Sequence, residues 1–165
     1  MFAKIAIAAA IMAVALTAAP ATAADTIYVV RHMQKEKGDD PALSAEGKAN
    51  AELLADMLAD KGVTAVFATP TRRARETAEA LAKRLGLPVT SYDPTDVRGL
   101  VTTVEAARGA VLIVGHSNTV PDLVGAFGGT NPAAIDESVY GTLYVVRDGN
   151  SIVEQVPVAA APQQR

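Results

Sequence analysis

The chain contains no cysteine and very few aromatic residues. The absence of cysteine excludes disulfides, thiolate metal ligands and cysteine nucleophiles. Only two histidines are present, His32 and His116, so a metal site built mainly on imidazole is poorly supported, although a carboxylate-rich one stays open. Because aromatics make up 4% of the chain, the core has to be built from Ala, Val, Leu and Ile.

An excess of positive charge is also missing, since the formal net charge is −3. This balance is not typical of a nucleic-acid-binding protein. An anionic substrate would need a locally basic pocket inside an acidic protein. The length of 165 residues and the apolar fraction of 50% predict one globular domain.

Residues 1–24 have the pattern of a signal peptide. Lys4 provides a positive start, residues 5–16 are apolar, and Ala21-Thr22-Ala23 offers a cleavage site, with cleavage after Ala24 as an alternative. An uncleaved membrane anchor is the other interpretation, but the stretch is mostly alanine and contains threonine and proline. We therefore expect an exported protein, periplasmic or secreted. Its domain of residues 25–165 would have no stable membrane insertion after cleavage.

Strand and helix patterns alternate along this domain. Strands are predicted at residues 26–30, 63–68, 88–92 and 110–114, and helices at 45–60, 72–85, 96–107 and 121–127. A hairpin of residues 140–147 and 151–158 is predicted around Asp148-Gly149-Asn150, and the tail from residue 159 is expected to fray. The order predicts an α/β fold, a three-layer α/β/α sandwich with a mostly parallel sheet.

Basic and polar side chains follow three of the predicted strands. The three strand ends read Arg31-His32, then Thr69-Pro70-Thr71-Arg72-Arg73, and then Gly115-His116-Ser117-Asn118. Ligands of open α/β sheets bind beyond such carboxyl ends. Arginine forks donate paired hydrogen bonds to phosphate oxygens, and a neutral imidazole can attack phosphorus. Each strand end alone is a weak signal, but their coincidence predicts a phosphoryl-binding rim.

Four ordered motifs between residues 26 and 127 carry a family resemblance. They are Arg31-His32-Met33, Leu43-Ser44-Ala45-Glu46-Gly47, Thr69-Pro70-Thr71-Arg72-Arg73-Ala74-Arg75-Glu76-Thr77-Ala78 and Val114-Gly115-His116-Ser117-Asn118. In this order they resemble the histidine phosphatase superfamily, which has the phosphoglycerate-mutase-like fold. The chain is similar in size to the short phosphohistidine phosphatases of that family.

The resemblance implies roles for individual residues. His32 would be the nucleophile that becomes phosphohistidine, while Arg31, Arg73 and His116 would bind the phosphoryl oxygens. Further substrate-binding candidates are Arg72, Ser117 and Asn118. No metal and no cofactor is expected. The expected partner is a small phosphorylated substrate or a phosphohistidine, with no nucleic acid.

The chain departs from the family pattern in three places. Met33 replaces a small residue beside the nucleophile, and its side chain is expected to narrow the pocket. Ser117 stands where the acid-phosphatase and phytase branch has an aspartate. No clear glutamate follows the arginine helix, so Asp93 and Asp96 are the candidate proton donors. An enzyme without a donor would favour substrates with good leaving groups.

These observations predict a metal-independent phosphatase that works by two-step transfer through His32. A mutase is disfavoured by the export signal and the missing glutamate. The main alternative is a non-catalytic phosphate-ligand-binding protein derived from the family, which Met33 favours. A structural or partner-binding domain would leave the paired histidines unexplained.

Overall fold

The computed structural model describes residues 24–157. The predicted signal peptide, apart from Ala24, and the predicted tail lie outside the described residues. Within residues 24–157, no helix has the length and apolar character needed to cross a bilayer.

Within the described residues, six strands form one sheet with four helices packed around it. The strands are β1 Thr26–Arg31, β2 Val63–Ala68, β3 Val89–Ser91, β4 Ala110–Gly115, β5 Thr142–Arg147 and β6 Asn150–Gln155. The helices are α1 Ala45–Leu58, α2 Arg72–Leu85, α3 Val97–Glu105 and α4 Val120–Ala126. The strand order is β3-β2-β4-β1-β5-β6. The first four strands run parallel, and β5 and β6 add an antiparallel edge, so the predicted mostly parallel sheet is confirmed.

Alternating side chains of the strands divide the core into two layers. Val30 and Leu112 belong to a cluster with residues of α1 and α2, whereas Val29 and Ile113 belong to a second cluster with residues of α3 and α4. Because successive residues of a strand point to opposite faces, one run of apolar residues serves both layers. The three-layer α/β/α prediction is therefore confirmed.

Local hydrogen bonds correct some predicted boundaries. Asp96 is the N-cap of α3, where its side chain accepts from the Gly99 N–H at 2.9 Å, so the helix is shorter than predicted. The turn of the hairpin consists of Asp148 and Gly149, whose φ values are 51° and 73°, and Asn150 already belongs to β6. Two left-handed residues fit a tight two-residue turn between antiparallel strands.

The connection between α4 and β5 has no regular secondary structure over residues 130–141. We call it the 130–141 segment. Its backbone carbonyls and side chains contact Arg31 at the end of β1. This segment therefore forms one side of the rim beyond the sheet.

Gly47 lies where the loop after β1 packs against the first turn of α1. Its N–H donates to the Ser44 hydroxyl at 3.1 Å, and an added Cβ would lie 1.9 Å from the Gln34 carbonyl oxygen. We expect Gly47→Ala to lower the free energy of unfolding by at least ~2 kcal/mol, because backbone has to move to relieve the overlap.

Chemical denaturation measures this effect, with Gly125→Ala as the matched control. Gly125 is also helical, but a Cβ there would meet nothing closer than 3.6 Å. Alanine also has the higher helix propensity, so the control is expected to be neutral or stabilising. Equal losses in the two variants would contradict the steric explanation.

Candidate active site

The two histidines meet because their strands are neighbours. β1 and β4 pair in parallel, with Arg31 opposite Gly115, so the residues that follow them leave the sheet side by side. The ring centroids of His32 and His116 are 5.3 Å apart, with an interplanar angle of 66°. Arg73, from the first turn of α2, lies against both rings. The structure therefore brings together the three residues that the two strand ends and the arginine helix predicted.

His32 is held with a defined ring nitrogen facing the basic residues. Its Nδ1 is 2.8 Å from the Met33 carbonyl oxygen, which can only accept, so Nδ1 carries the proton. Its Nε2 accepts a hydrogen bond from Arg73 Nε at 3.1 Å. The side chain is buried, since the residue is 3% exposed. This arrangement presents the Nε2 lone pair, which is the group a nucleophilic imidazole needs.

His116 is oriented by a threonine from the neighbouring strand end. Its Nε2 is 2.9 Å from Thr69 Oγ1, and its Nδ1 is 3.5 Å from Arg73 Nη2. Because a guanidinium only donates, Nδ1 accepts and Nε2 carries the proton that it donates to Thr69. Arg73 therefore bridges the two imidazoles through different nitrogens.

Both histidines are neutral in this environment at neutral pH. Burial, followed by the nearby charges of Arg31 and Arg73, lowers the pKa of His32 to about 4, although the hydrogen bond to the Met33 carbonyl opposes the shift. Burial and the charges of Arg73 and Arg31 lower the pKa of His116 to about 4, and Glu137 opposes that shift. A neutral His32 is the form required for attack through nitrogen.

The lowered pKa values predict that acid destabilises the fold before its carboxylates titrate. Between pH 6.5 and 5, the unfolded chain binds protons at both histidines that the folded chain does not bind. We therefore expect the free energy of unfolding to fall as the pH is lowered through this window. The loss should be about 1–2 kcal/mol for His32, and less for the more exposed His116.

Denaturant titrations at pH 7 and pH 5 measure this dependence. His32→Asn is the informative variant, because it removes one titrating ring while keeping a polar side chain. We expect the free energy of unfolding of this variant to decrease less between pH 7 and pH 5 than that of the wild-type chain. A wild-type stability that is flat over the window would contradict neutral, buried histidines.

Met33 does not narrow the pocket, contrary to the sequence-based expectation. Its side chain is fully buried in the core cluster shared by α1 and α2. Its backbone N–H donates to Thr77 Oγ1 at 3.0 Å, and that hydroxyl donates to the Arg73 carbonyl at 2.9 Å. Met33 therefore fixes the loop that holds His32 to the helix that carries Arg73.

Arg31 lies beside the histidines, but most of its donors bind protein groups. Its Nη1 donates to the carbonyls of Asp136, Glu137 and Val139 at 3.1, 2.9 and 2.9 Å. Its Nη2 donates to Glu137 Oε2 at 2.7 Å, and its guanidinium carbon is 4.2 Å from the Tyr140 ring centroid. Only its buried Nε lacks a hydrogen-bond partner among the described residues. In this arrangement Arg31 anchors the 130–141 segment.

The other substrate-binding candidates are separated by the structure. Arg72 points to the surface, where its side chain is 60% exposed and its Nε donates to Glu76 at 2.7 Å. Asn118 is exposed, and no hydrogen bond of its side chain is found among the described residues. Ser117 is buried and donates to Glu137 Oε1. Of these three side chains, only that of Ser117 therefore has a hydrogen bond to a group at the rim.

The candidate proton donors Asp93 and Asp96 are not brought to the histidines. Asp93 accepts from the Thr95 N–H at 2.8 Å, and Asp96 caps α3. Both are exposed and follow β3, which is three strand positions from β1. At ~4.8 Å per strand, that separation is about 14 Å across the sheet. No hydrogen bond or ion pair joins either carboxyl group to His32 or His116 among residues 24–157.

Three residues at the site were not indicated by any sequence pattern used for the prediction, namely Glu137, Tyr140 and Thr69. Thr69 lies inside a recognised motif, directly before Pro70, so its place at the strand end was a usable signal. Glu137 and Tyr140 belong to the 130–141 segment, which has no periodicity and no motif. Across residues 24–157, no group of three or more His, Asp or Glu side chains is placed to hold a metal ion.

Comparison with known proteins finds a family model and a relative that each match part of the chain. The model of the histidine phosphatase superfamily (branch 1) matches residues 27–94. Uncharacterized protein Rv0525 of Mycobacterium tuberculosis is 50% identical over 71 residues, which cover 38% of this chain and 35% of that protein. The match therefore spans only about a third of the length of that relative.

Solved structures of phosphatases share the fold. The protein histidine phosphatase SixA complexed with tungstate has a TM-score of 0.61 at 20% identity, covering 78% of this chain and 94% of that one. The mycobacterial glucosyl-3-phosphoglycerate phosphatase Rv2419c with inorganic phosphate has a TM-score of 0.62 at 16% identity. The alignment covers 79% of this chain and 96% of that one. At these identities the likeness shows the fold. The match over residues 27–94 supports the resemblance to the histidine phosphatase superfamily, and the solved structures support the phosphoglycerate-mutase-like fold that this resemblance implies.

Proposed function

We propose that this chain is a phosphatase that hydrolyses phosphate monoesters or phosphohistidine through a phosphohistidine intermediate on His32. The observation that carries the proposal is the geometry of His32. Its Nδ1 proton is fixed on the Met33 carbonyl, and its Nε2 lone pair faces Arg73 and the second histidine. An imidazole held in this way is prepared to attack phosphorus.

In the first step, His32 Nε2 forms a bond to phosphorus, and the bond from phosphorus to the leaving group breaks. Arg73 is free to move its hydrogen bond from Nε2 to a phosphoryl oxygen, since a guanidinium binds oxyanions more strongly than neutral nitrogen. The transition state spreads negative charge over the equatorial oxygens, so a fixed cation stabilises it.

His116 supplies the second contact to the phosphoryl group. It is neutral in the empty site, because burial and two arginines lower its pKa to about 4. A bound dianion favours the protonated form of a neighbouring group. His116 therefore takes up a proton as substrate binds and donates it in a charge-assisted hydrogen bond to a phosphoryl oxygen.

The second step returns the enzyme to its starting form. Water attacks the phosphorus of phosphoryl-His32, the P–N bond breaks, and inorganic phosphate leaves. This scheme needs no cofactor and no metal ion. Two substrate classes fit this scheme, small phosphate esters and phosphohistidine. Of the two solved structures, one is a glucosyl-3-phosphoglycerate phosphatase and the other is a protein histidine phosphatase.

The test is hydrolysis of an activated aryl phosphate by the full chain in the presence of a chelator, together with alkaline quenching. We expect turnover and protein-bound phosphate that is stable in alkali and labile in acid, as a phosphoramidate is. The alternative is a phosphate-binding protein, which would bind vanadate without turnover or covalent phosphate. A Met33 side chain inside the pocket would favour that alternative, but this side chain lies in the core.

We also propose that the protein is exported to the periplasm or the medium. Support comes from the sequence of residues 1–24 alone, with its positive start, apolar stretch and small residues at the cleavage site. A phosphatase in such a compartment would act on extracellular or periplasmic phosphorylated compounds.

A further inference from the structure

Glu137 is a carboxylate that the 130–141 segment brings to the rim of the site. Its Oε2 accepts from Arg31 Nη2 at 2.7 Å, and its Oε1 accepts from the Ser117 hydroxyl. Arg31 directly precedes His32, and Ser117 directly follows His116. The carboxylate therefore bridges the chain neighbours of the two histidines.

This carboxylate is fixed on one side and open to water on the other. The Glu137 side chain is 77% exposed, whereas the Arg31 side chain that holds it is 3% exposed. Tyr140 of the same segment lies beside the nucleophile, with its ring centroid 6.2 Å from that of His32. The segment thus forms the wall of the site next to His32, with Glu137 facing solvent.

Glu137 is in the ionised form, which can accept a proton. The hydrogen bond from Ser117 lowers the pKa of this carboxyl group. Desolvation opposes the shift, and the positive charges of Arg31 and Lys35 reinforce it. At neutral pH the group is a carboxylate, so it can take a proton but has none to give.

We propose that Glu137 is the general base of the second step, taking a proton from the water that attacks phosphoryl-His32. This inference rests on the proposed function. The water oxygen bonds to phosphorus, and the P–N bond breaks with its electron pair returning to His32 Nε2. The water proton moves to the Glu137 carboxylate, which then releases it to solvent.

An ionised Glu137 also determines which leaving groups favour the first step. A carboxylate without a proton cannot protonate the leaving group. The favoured substrates are therefore those whose leaving group needs no donated proton, such as an aryl phosphate, which releases a phenolate, or a phosphohistidine with a protonated ring, which releases a neutral imidazole. Alkyl phosphates would react more slowly.

Asp40 is another carboxylate close to the basic residues, and it serves as the control. Its Oδ1 lies 3.9 Å from Arg73 Nη1 and accepts from the Arg72 N–H at 2.9 Å. Its side chain is 61% exposed. It contacts the α2 side of the rim, whereas Glu137 contacts the residues beside both histidines. Asp40→Asn thus removes one negative charge near the site without removing the proposed base.

The experiment separates formation of the phosphoenzyme from its breakdown. The full chain is loaded with phosphoramidate in a rapid-mixing instrument, the donor is removed, and alkali-stable protein phosphate is followed with time. We expect Glu137→Gln to load within about threefold of the wild type and to lose phosphate at least ~10-fold more slowly. Asp40→Asn should load and decay within about threefold of the wild type. Formate should accelerate the decay of phosphorylated Glu137→Ala.

Other outcomes overturn the assignment. If loading and decay of Glu137→Gln fall together, the residue supports binding or folding and is not the base of the second step. Unchanged decay, or equally slow decay in Asp40→Asn, excludes a specific base role for Glu137. A wild-type chain that binds vanadate but never takes up phosphate overturns the proposed function itself, and this result differs from slow decay of a formed intermediate.

Discussion

Replacement of His32 by alanine is expected to abolish the hydrolysis of an activated aryl phosphate, with a loss in kcat on the order of 10³-fold or more. The reason is that the proposed covalent intermediate forms on His32 Nε2. His116 has its Nε2 hydrogen bonded to Thr69, and its proposed role is to bind a phosphoryl oxygen. The variant should also show no alkali-stable protein phosphate.

Two controls separate loss of chemistry from loss of the fold. Because His32 is buried and its Nδ1 binds the Met33 carbonyl, a cavity at this position costs some stability. His32→Asn retains a donor that can reach the same carbonyl, and it is expected to fold with equal loss of activity. Vanadate binding by either variant, measured calorimetrically, reports that the anion pocket is intact. Turnover within tenfold of the wild type in either variant would contradict a histidine nucleophile.

Replacement of Arg73 by alanine is expected to lower kcat/KM on the order of 10²-fold. Arg73 Nε lies 3.1 Å from His32 Nε2, and Arg73 Nη2 lies 3.5 Å from His116 Nδ1. Its guanidinium is therefore placed to bind the phosphoryl oxygens as they gain negative charge. Arg73→Lys should recover only part of the loss, because an ammonium cannot bridge two nitrogens with a planar fork. The effect should appear in kcat as well as in KM, since the contact strengthens in the transition state.

The neighbouring arginines of α2 provide the comparison. Arg72 pairs with Glu76 at the surface, and Arg75 is exposed. Arg72→Ala and Arg75→Ala are therefore expected to change kcat/KM by less than about threefold, since exposed pairs contribute little. A loss in Arg72→Ala as large as that in Arg73→Ala would contradict the assignment of the phosphoryl-binding arginine. This comparison tests the structure directly, because the sequence left both arginines as candidates.

The fold was predictable because its determinants are local or periodic. The continuous apolar run of β4 indicates a strand buried on both faces, and the spacing of alanines and leucines in α2 indicates one buried helix face. Alternation of strands and helices then permits few topologies. Boundaries were less predictable, since a side-chain cap such as that of Asp96 depends on local geometry.

Part of the site was also visible in the sequence. Parallel strands place their carboxyl ends at one edge, so His32 and His116 had to lie on the same rim. The prediction for Met33 was wrong for a geometric reason, because its position in the sequence does not reveal which way its side chain turns. The structure turns it into the core and leaves only its backbone at the site.

The sequence by itself determined the α/β class, the two histidines, the arginine helix and the family resemblance, since each depends on residue type and spacing along the chain. Only the tertiary structure decided that Arg73 and not Arg72 bridges the imidazoles, that Arg31 anchors a distant segment, and that Glu137 binds the chain neighbours of both histidines. Arg31 and Glu137 are 106 residues apart. Contacts at that separation depend on how the sheet and its connections pack, and an irregular segment carries no periodic signal from which such a contact could be read.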